Sequence, residues 1–262
     1  QVENNQFTSL DVSANTALTT LNCSSNPFTS LDVSANTALT QLNCRNNQLT
    51  SLDVSSNTAL TELNIGGGSQ SQISTLDLIN NTALISLNTQ DILTLTSLDV
   101  SANTTLLSLG CWNNSLTTLN VSGASVLTNL NCSDNSLTSL DLSTNTALSD
   151  LVCHNNQLTT LDVSNNTALT FLRCEQNNLT SLDVSANTAL THLVCFSNQL
   201  TALDVSANAG LEILHCGSNQ LTSLDVSSNT ALSNLTCFDN QLTALDVSAN
   251  TALTRLHCGT NQ

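Results

Sequence analysis

The sequence has no lysine, tyrosine or methionine, one proline and one tryptophan, and only three basic residues against 19 acidic ones. The net charge of −16 weighs against binding to nucleic acid, because proteins hold phosphate groups with Lys and Arg. It also weighs against an anionic membrane surface. Since no run of about 20 apolar residues is present, we expect no insertion into a membrane.

Sequence motifs of enzymes are also missing. The chain has no G-x-S-x-G, no H-E-x-x-H and no glycine-rich phosphate loop, which are the short motifs that carry a nucleophile, a zinc site or a nucleotide. We therefore expect neither catalysis nor a cofactor.

What the sequence does contain is a repeat. The phrase Leu-Asp-Val-Ser recurs with few changes, mostly every 21 residues, with two steps of 24 and 22. Its first residue is Leu10, Leu31, Leu52, Leu76, Leu98, Leu119, Leu140, Leu161, Leu182, Leu203, Leu224 and Leu245. We interpret 1–6 as the tail of a preceding repeat and 7–262 as one solenoid of about twelve turns, irregular over 49–72 and 73–94. We take the chain to be a mature or excised piece, because it begins inside a repeat.

Each turn divides into two similar halves. Residues 158–168 read LTTLDVSNNTA and 169–178 read LTFLRCEQNN, and both fit L-x-x-L-x-(V/C)-x-x-N. Leu161 and Val163, or Leu172 and Cys174, alternate with polar residues, which is the period of a β-strand. The pattern predicts two short parallel strands per turn, little or no helix, and turns that must stack to bury their apolar residues.

The pattern resembles the leucine-rich-repeat superfamily, whose signature is L-x-x-L-x-L-x-x-N. It is most similar to the short 21-residue class of bacterial surface proteins, the internalin-like repeats, and the resemblance covers 7–262. It implies an all-β-rich solenoid that binds ligands on one strand face, in a secreted or cell-surface bacterial protein. In this chain the second half of each turn also looks like a strand, where many members of the superfamily have a helix or a loose segment.

Cysteine and asparagine occupy fixed columns of the repeat. Ten cysteines each take the position of a core leucine, so we expect buried, reduced thiols; disulfides between neighbouring turns are the alternative. The asparagine columns predict side-chain amides that bond backbone groups at each bend.

The outward positions of the cysteine-containing strand vary, whereas those of the Leu-Asp-Val strand hardly change. Every Arg, every His and the only Trp lie on this varied face, and aromatic residues and Arg are the usual anchors of interfaces. The predicted binding surface consists of Trp112, Val152, His154, Phe171, Arg173, Glu175, His192, Val194, Phe196, Ile213, His215 and Phe238. Neutral drift of a surface free of packing constraints is the alternative.

Two further features carry weaker predictions. Eleven aspartates, from Asp11 to Asp246, form one outward line, which we expect to be solvated and bonded to hydroxyl groups; calcium held between turns and an ice-binding threonine lattice are alternatives. The insertion 66–72, GGGSQSQ, suggests an exposed loop.

These observations favour a non-enzymatic recognition or adhesion module that binds a protein or a polysaccharide through the varied face. A passive spacer or stalk is the alternative. The resemblance places such a module on the surface of a bacterium or in its secretions. The module would act as a monomer or associate with itself end to end or face to face.

Overall fold

The computed structural model describes residues 1–67 and 70–262, and these form two compact units. The first unit comprises Gln1–Leu127 and Asn131–Leu137, and the second comprises Thr128–Leu130 and Thr138–Gln262. Each unit is a coil of parallel strands with about 21 residues per turn. The described residues contain no helix, and therefore none that could span a bilayer.

Each strand is three residues long and covers an outward–inward–outward triplet. In most strands this triplet lies just before the residue of the cysteine column. In two strands it is the matching triplet of the Leu-Asp-Val half of the turn. The strands are β1 (Thr20–Asn22), β2 (Gln41–Asn43), β3 (Glu62–Asn64), β4 (Ser86–Asn88), β5 (Ser97–Asp99), β6 (Ser108–Gly110), β7 (Thr118–Asn120), β8 (Asn129–Asn131), β9 (Asp150–Val152), β10 (Phe171–Arg173), β11 (His192–Val194), β12 (Ile213–His215), β13 (Asn234–Thr236) and β14 (Arg255–His257).

Neighbouring strands pair in parallel and in register with the repeat. In the first unit the order is β1-β2-β3-β4-β6, and in the second it runs from β9 to β14. Leu172, for example, pairs with Leu193, which pairs with Leu214. The predicted solenoid is therefore confirmed, with the repeat setting the strand register.

The second strand that we expected in every turn occurs, among the described residues, only as β5 paired with β7. In other turns, the backbone hydrogen bonds between neighbouring turns are formed before the Leu-Asp-Val segment is reached. An example is the bond from the Gln199 N–H to Leu179 O at 2.8 Å. The chain then bends, because the aspartate carboxylate accepts the N–H of the residue two positions ahead, as Asp204 does from Ser206 at 2.9 Å.

The cysteine column lies in the core, as predicted. Nine of the ten thiols are buried, Cys258 is exposed, and all ten are reduced. Burial raises the pKa of the Cys237 thiol to about 11 and also raises the pKa of Cys174 and Cys195 well above the usual value. Such thiols remain protonated and unreactive while the turn is closed.

Two asparagine columns tie each turn to the one before it. Asn187 is fully buried, and its Nδ2 donates to Val163 O at 3.0 Å and to Asn166 O at 2.8 Å. In the other column, Asn198 Nδ2 donates to Cys174 O and Cys195 O, both at 3.1 Å, while its Oδ1 accepts the Leu179 N–H at 3.0 Å. The predicted structural role of the asparagines is therefore confirmed.

The insertion 66–72 is less exposed than expected, although residues 68–69 lie outside the described residues. Gly66, Gly67 and Ser71 are buried, whereas Gln70 is exposed. The Gly67 N–H donates to Gln90 O at 2.7 Å. Gly67 has φ = +88°, and a Cβ there would clash with the side chain of Asn46. Glycine thus lets this segment lie directly against neighbouring turns.

Candidate ligand-binding face

Strands β9 to β14 of the second unit arrange their outward side chains in two rows. The middle leucine of β9 to β13 is buried, and the flanking residues face away from the core. The first row holds Asp150, Phe171, His192, Ile213, Asn234 and Arg255, and the second holds Val152, Arg173, Val194, His215, Thr236 and His257. We call these two rows, with the residue that follows each cysteine, the variable face.

Two aromatic–imidazole pairs lie on the variable face. The rings of Phe171 and His192 are 5.5 Å apart and tilted by 37°, and those of Phe238 and His257 are 4.8 Å apart and nearly stacked at 23°. The Phe238 ring also covers Gly217, where a Cβ would come within 2.8 Å of it. The sequence prediction omitted His257, although its position in the second outward column could have indicated this contact.

Arg173 and Glu175 form an ion pair on β10 and the residues after it. Arg173 Nε donates to Glu175 Oε1 at 2.9 Å, and its Nη2 bonds the same oxygen. The Glu175 side chain is only 1% exposed, whereas that of Arg173 is 39% exposed. The prediction that Glu175 is an exposed contact residue is therefore wrong, because its carboxylate turns back to the guanidinium. Val194 is also buried, at 8% exposure.

Four buried polar atoms of the variable face lack a hydrogen-bond partner among the described residues. They are His154 Nδ1, Glu175 Oε2, His215 Nε2 and Asn234 Oδ1. Burial lowers the pKa of the His215 imidazole, and the neighbouring Asn234 side chain opposes this only in part, so the neutral form is favoured. Buried polar atoms are usually bonded, so these unpaired atoms carry a desolvation cost in the free chain.

The structure brings most of the predicted residues together. Phe171, Arg173, His192, Ile213 and His215 lie on three adjacent strands, and Val152 lies on the next one. His154, Phe196 and Phe238 each follow a buried cysteine of the second unit and are partly exposed. Trp112 follows β6 in the first unit and is partly exposed.

The aspartate line lies on the other half of the turn. Ser13 donates to Asp11 Oδ1 through its hydroxyl at 2.7 Å and its N–H at 2.9 Å, and these bonds lower the pKa of the Asp11 carboxyl. The Ser13–Asp11 bond agrees with the expectation that the aspartates of this line bond to hydroxyl groups. Calcium binding stays a prediction, which a comparison of Tm in millimolar Ca²⁺ and in chelator would test.

Together, the fold, the 21-residue register and the asparagine ladders define a leucine-rich-repeat coil, and its solved structural neighbours include internalins. The chain is similar to the functional domain of InlJ from Listeria monocytogenes, whose structure includes a cysteine ladder. The two are 39% identical with a TM-score of 0.84, and the match covers 100% of this chain but 63% of that one. The chain thus spans less than two thirds of the solved InlJ functional domain.

Other comparisons support the fold alone. The internalin InlF from Listeria monocytogenes is 24% identical with a TM-score of 0.85, and the match covers 95% of this chain and 76% of that one. No protein-family model and no curated protein matches the chain.

The TLR13–ssRNA13 complex contains a similar fold, at 21% identity and a TM-score of 0.65, over 94% of this chain and 38% of that one. Our expectation that this chain does not bind nucleic acid therefore rests on its charge, not on its fold.

Proposed function

We propose that this chain is a non-enzymatic recognition module of a secreted or cell-surface bacterial protein, and that the variable face of the second unit binds its ligand. The observation that carries the proposal is the gathering of Phe171, Arg173, His192 and His215 on adjacent strands above a regular leucine layer. A protein partner fits better than a polysaccharide, because aromatic and Arg side chains beside desolvated polar atoms are typical of interface anchors.

The partner would meet two kinds of contact. The aromatic–imidazole pairs offer apolar rings, while the half-exposed Arg173 guanidinium still has donors available beyond its bonds to Glu175.

Arrays of host proteins and glycans probed with the intact chain would identify the ligand. For an identified protein ligand, we expect Phe196→Ala and His215→Ala to weaken binding about 30-fold or more, since anchor residues contribute at least about 2 kcal/mol. Arg173→Ala should also weaken binding. It is best combined with Glu175→Gln, because the single variant would leave the buried Glu175 carboxylate without its partner.

The control is Ser181→Ala, an exposed position on the aspartate half of the same coil. It should leave Kd unchanged, and all variants should keep the parent Tm within a few degrees. If a protein ligand is found and the three face variants bind it as the parent does, the proposal is wrong. The passive-spacer alternative would be favoured if no protein or glycan on the arrays bound the chain at all.

A further inference from the structure

The first unit carries a row of asparagines that the proposed function does not use. Asn22, Asn43, Asn64 and Asn88 are the last residues of β1 to β4, and strand pairing aligns them in register. The corresponding row of the second unit contains no asparagine. All four are partly exposed.

The amide groups of this row have a fixed orientation. Asn22 Oδ1 accepts the Ser24 N–H at 3.2 Å, and Asn43 Oδ1 accepts the Arg45 N–H at 3.3 Å. Asn64 Oδ1 likewise accepts the Gly66 N–H at 3.3 Å. Because the oxygen of each amide is bonded to the chain itself, the NH2 group is the part that remains for a ligand.

Three of these NH2 groups are available. Within residues 1–67 and 70–262, Nδ2 of Asn22, Asn43 and Asn64 donates no hydrogen bond. Asn88 Nδ2, in contrast, donates to Gln90 Oε1 at 2.9 Å. The result is a line of three oriented donors, one per strand, that crosses the strands at right angles to their direction.

The donors line a groove of about 370 Å³. Its other side is formed by Thr20, Gln41, Glu62 and Ser86, and its floor by leucines such as Leu42. Thr20 Oγ1 donates weakly to Gln41 Oε1 at 3.5 Å, which leaves the amide NH2 of Gln41 for a ligand as well. The lining side chains are amides, hydroxyls and leucines, with Glu62 as the one charged side chain.

The spacing of the donors discriminates between linear ligands. Adjacent strands lie about 4.8 Å apart, whereas carbonyl groups on one side of an extended peptide recur only every two residues, or about 6.6 Å. A peptide along the groove would match one donor and miss the next. An extended β-1,4-linked glycan advances by about one strand spacing per pyranose ring. Successive rings are flipped, but each ring carries hydroxyl oxygens on both edges, so every ring presents an acceptor to the row.

We infer that the asparagine row of the first unit is a binding site for an uncharged, extended polysaccharide. Each amide NH2 donates to an oxygen of one sugar ring, and Glu62 with the hydroxyls of Thr20 and Ser86 accepts sugar O–H groups. A polyanion is disfavoured by Glu62 and by the net charge of −16. The site goes beyond the proposed function, because it lies in the other unit and shares no residue with the variable face.

The test is calorimetric titration of the full chain with β-1,4-linked glucose and N-acetylglucosamine oligosaccharides of increasing length. We expect affinity to rise with each added ring until the three donors are filled. Asn43→Asp keeps the oxygen that accepts the Arg45 N–H but removes the donor, so it should weaken binding about fivefold or more without changing Tm. Asn22→Asp and Asn64→Asp provide the same comparison at the two ends.

The matched control is Asn165→Asp, which introduces the same charge at an exposed bend and should leave glycan affinity unchanged. Phe196→Ala should also leave it unchanged, which separates this site from the variable face. The inference is overturned if neutral oligosaccharides do not bind at millimolar concentration, or if Asn43→Asp and Asn64→Asp bind them as the parent does. Preferential binding of polygalacturonate, an extended peptide or single-stranded RNA in the groove would overturn it as well.

Discussion

In the first unit the strands β1 to β4 all end in asparagine, whereas in the second β9 to β12 end in Val152, Arg173, Val194 and His215. Beneath both rows lie buried leucines, and the inward residue after each strand is a buried cysteine except after β3 and β4, where it is Ile65 and Thr89. One repeat therefore supports a uniform amide surface in one place and a heterogeneous aromatic and basic surface in another. The difference teaches that the core constrains only the inward side chains, so the outward rows are free to acquire different ligands.

The comparison requires equivalent cores, and the largest expected effect tests this directly. Leu42→Ala in the first unit and Leu193→Ala in the second each remove a side chain that is at most 1% exposed. Each should lower the free energy of unfolding by about 2–5 kcal/mol, measured by urea denaturation. Thr180→Ser, on the exposed surface, serves as the control. A loss below about 1 kcal/mol in one unit only would show that the two cores differ.

The inward asparagine ladder should be equivalent in both units too. Asn57→Ala and Asn187→Ala each remove two bonds to the preceding turn. The carbonyls of Val163 and Asn166 each keep a second bond, from the N–H groups of Asn166 and Leu169. We therefore expect a loss of only about 1–3 kcal/mol, seen as a lower urea midpoint. Exposed Asn165→Ala should show no loss, and unequal losses would contradict a shared scaffold.

A smaller effect sharpens the contrast between the two faces. Phe171→Ala removes a ring of the variable face that can pair with an aromatic side chain of a protein ligand, and such pairs contribute about 0.5–1.5 kcal/mol. We expect the Kd for a protein ligand of the variable face to rise about two- to twelvefold, measured by surface plasmon resonance. Gln41→Ala changes the corresponding position of β2 and should leave this Kd unchanged. Equal effects of the two substitutions would mean that the ligand does not distinguish the faces.

The smallest expected effect concerns the aspartate line, which both units share. Hydrogen bonds from the serine two residues ahead hold the pKa of Asp183 and Asp204 below the usual value. A lowered pKa stabilises the fold above about pH 4, and that contribution is lost as the pH falls below it. Replacing Ser185 and Ser206 with alanine should reduce the fall in Tm between pH 5 and pH 3, whereas Ser181→Ala should not. An identical pH profile for both variants would refute the role of these serines.

The sequence predicted the coil and its inward columns because a packed layer tolerates few residue types, so Leu172, Cys174 and Asn187 recur at fixed spacing. Glu175 was assigned to the wrong side, because its burial depends on pairing with Arg173, and a two-residue separation does not reveal a side-chain conformation. The close packing of Gly66 and Gly67 was missed for a similar reason, since glycine is typical both of loops and of close backbone contacts. The asparagine row of β1 to β4 was not predicted as a site, because a polar residue that recurs unchanged in successive repeats is typical of a structural position.

The buried cysteines give nearly every turn a chemically identical probe. A thiol-alkylating reagent modifies a buried, protonated cysteine only when its turn opens, so the labelling rate at each site reports the free energy of that local opening. Mass spectrometry of the labelled chain would then give the free energy of local opening at each buried cysteine, with Cys258 as the exposed reference. Ligand binding would appear in the same measurement as slower labelling of the cysteines in the turns that the ligand stabilises.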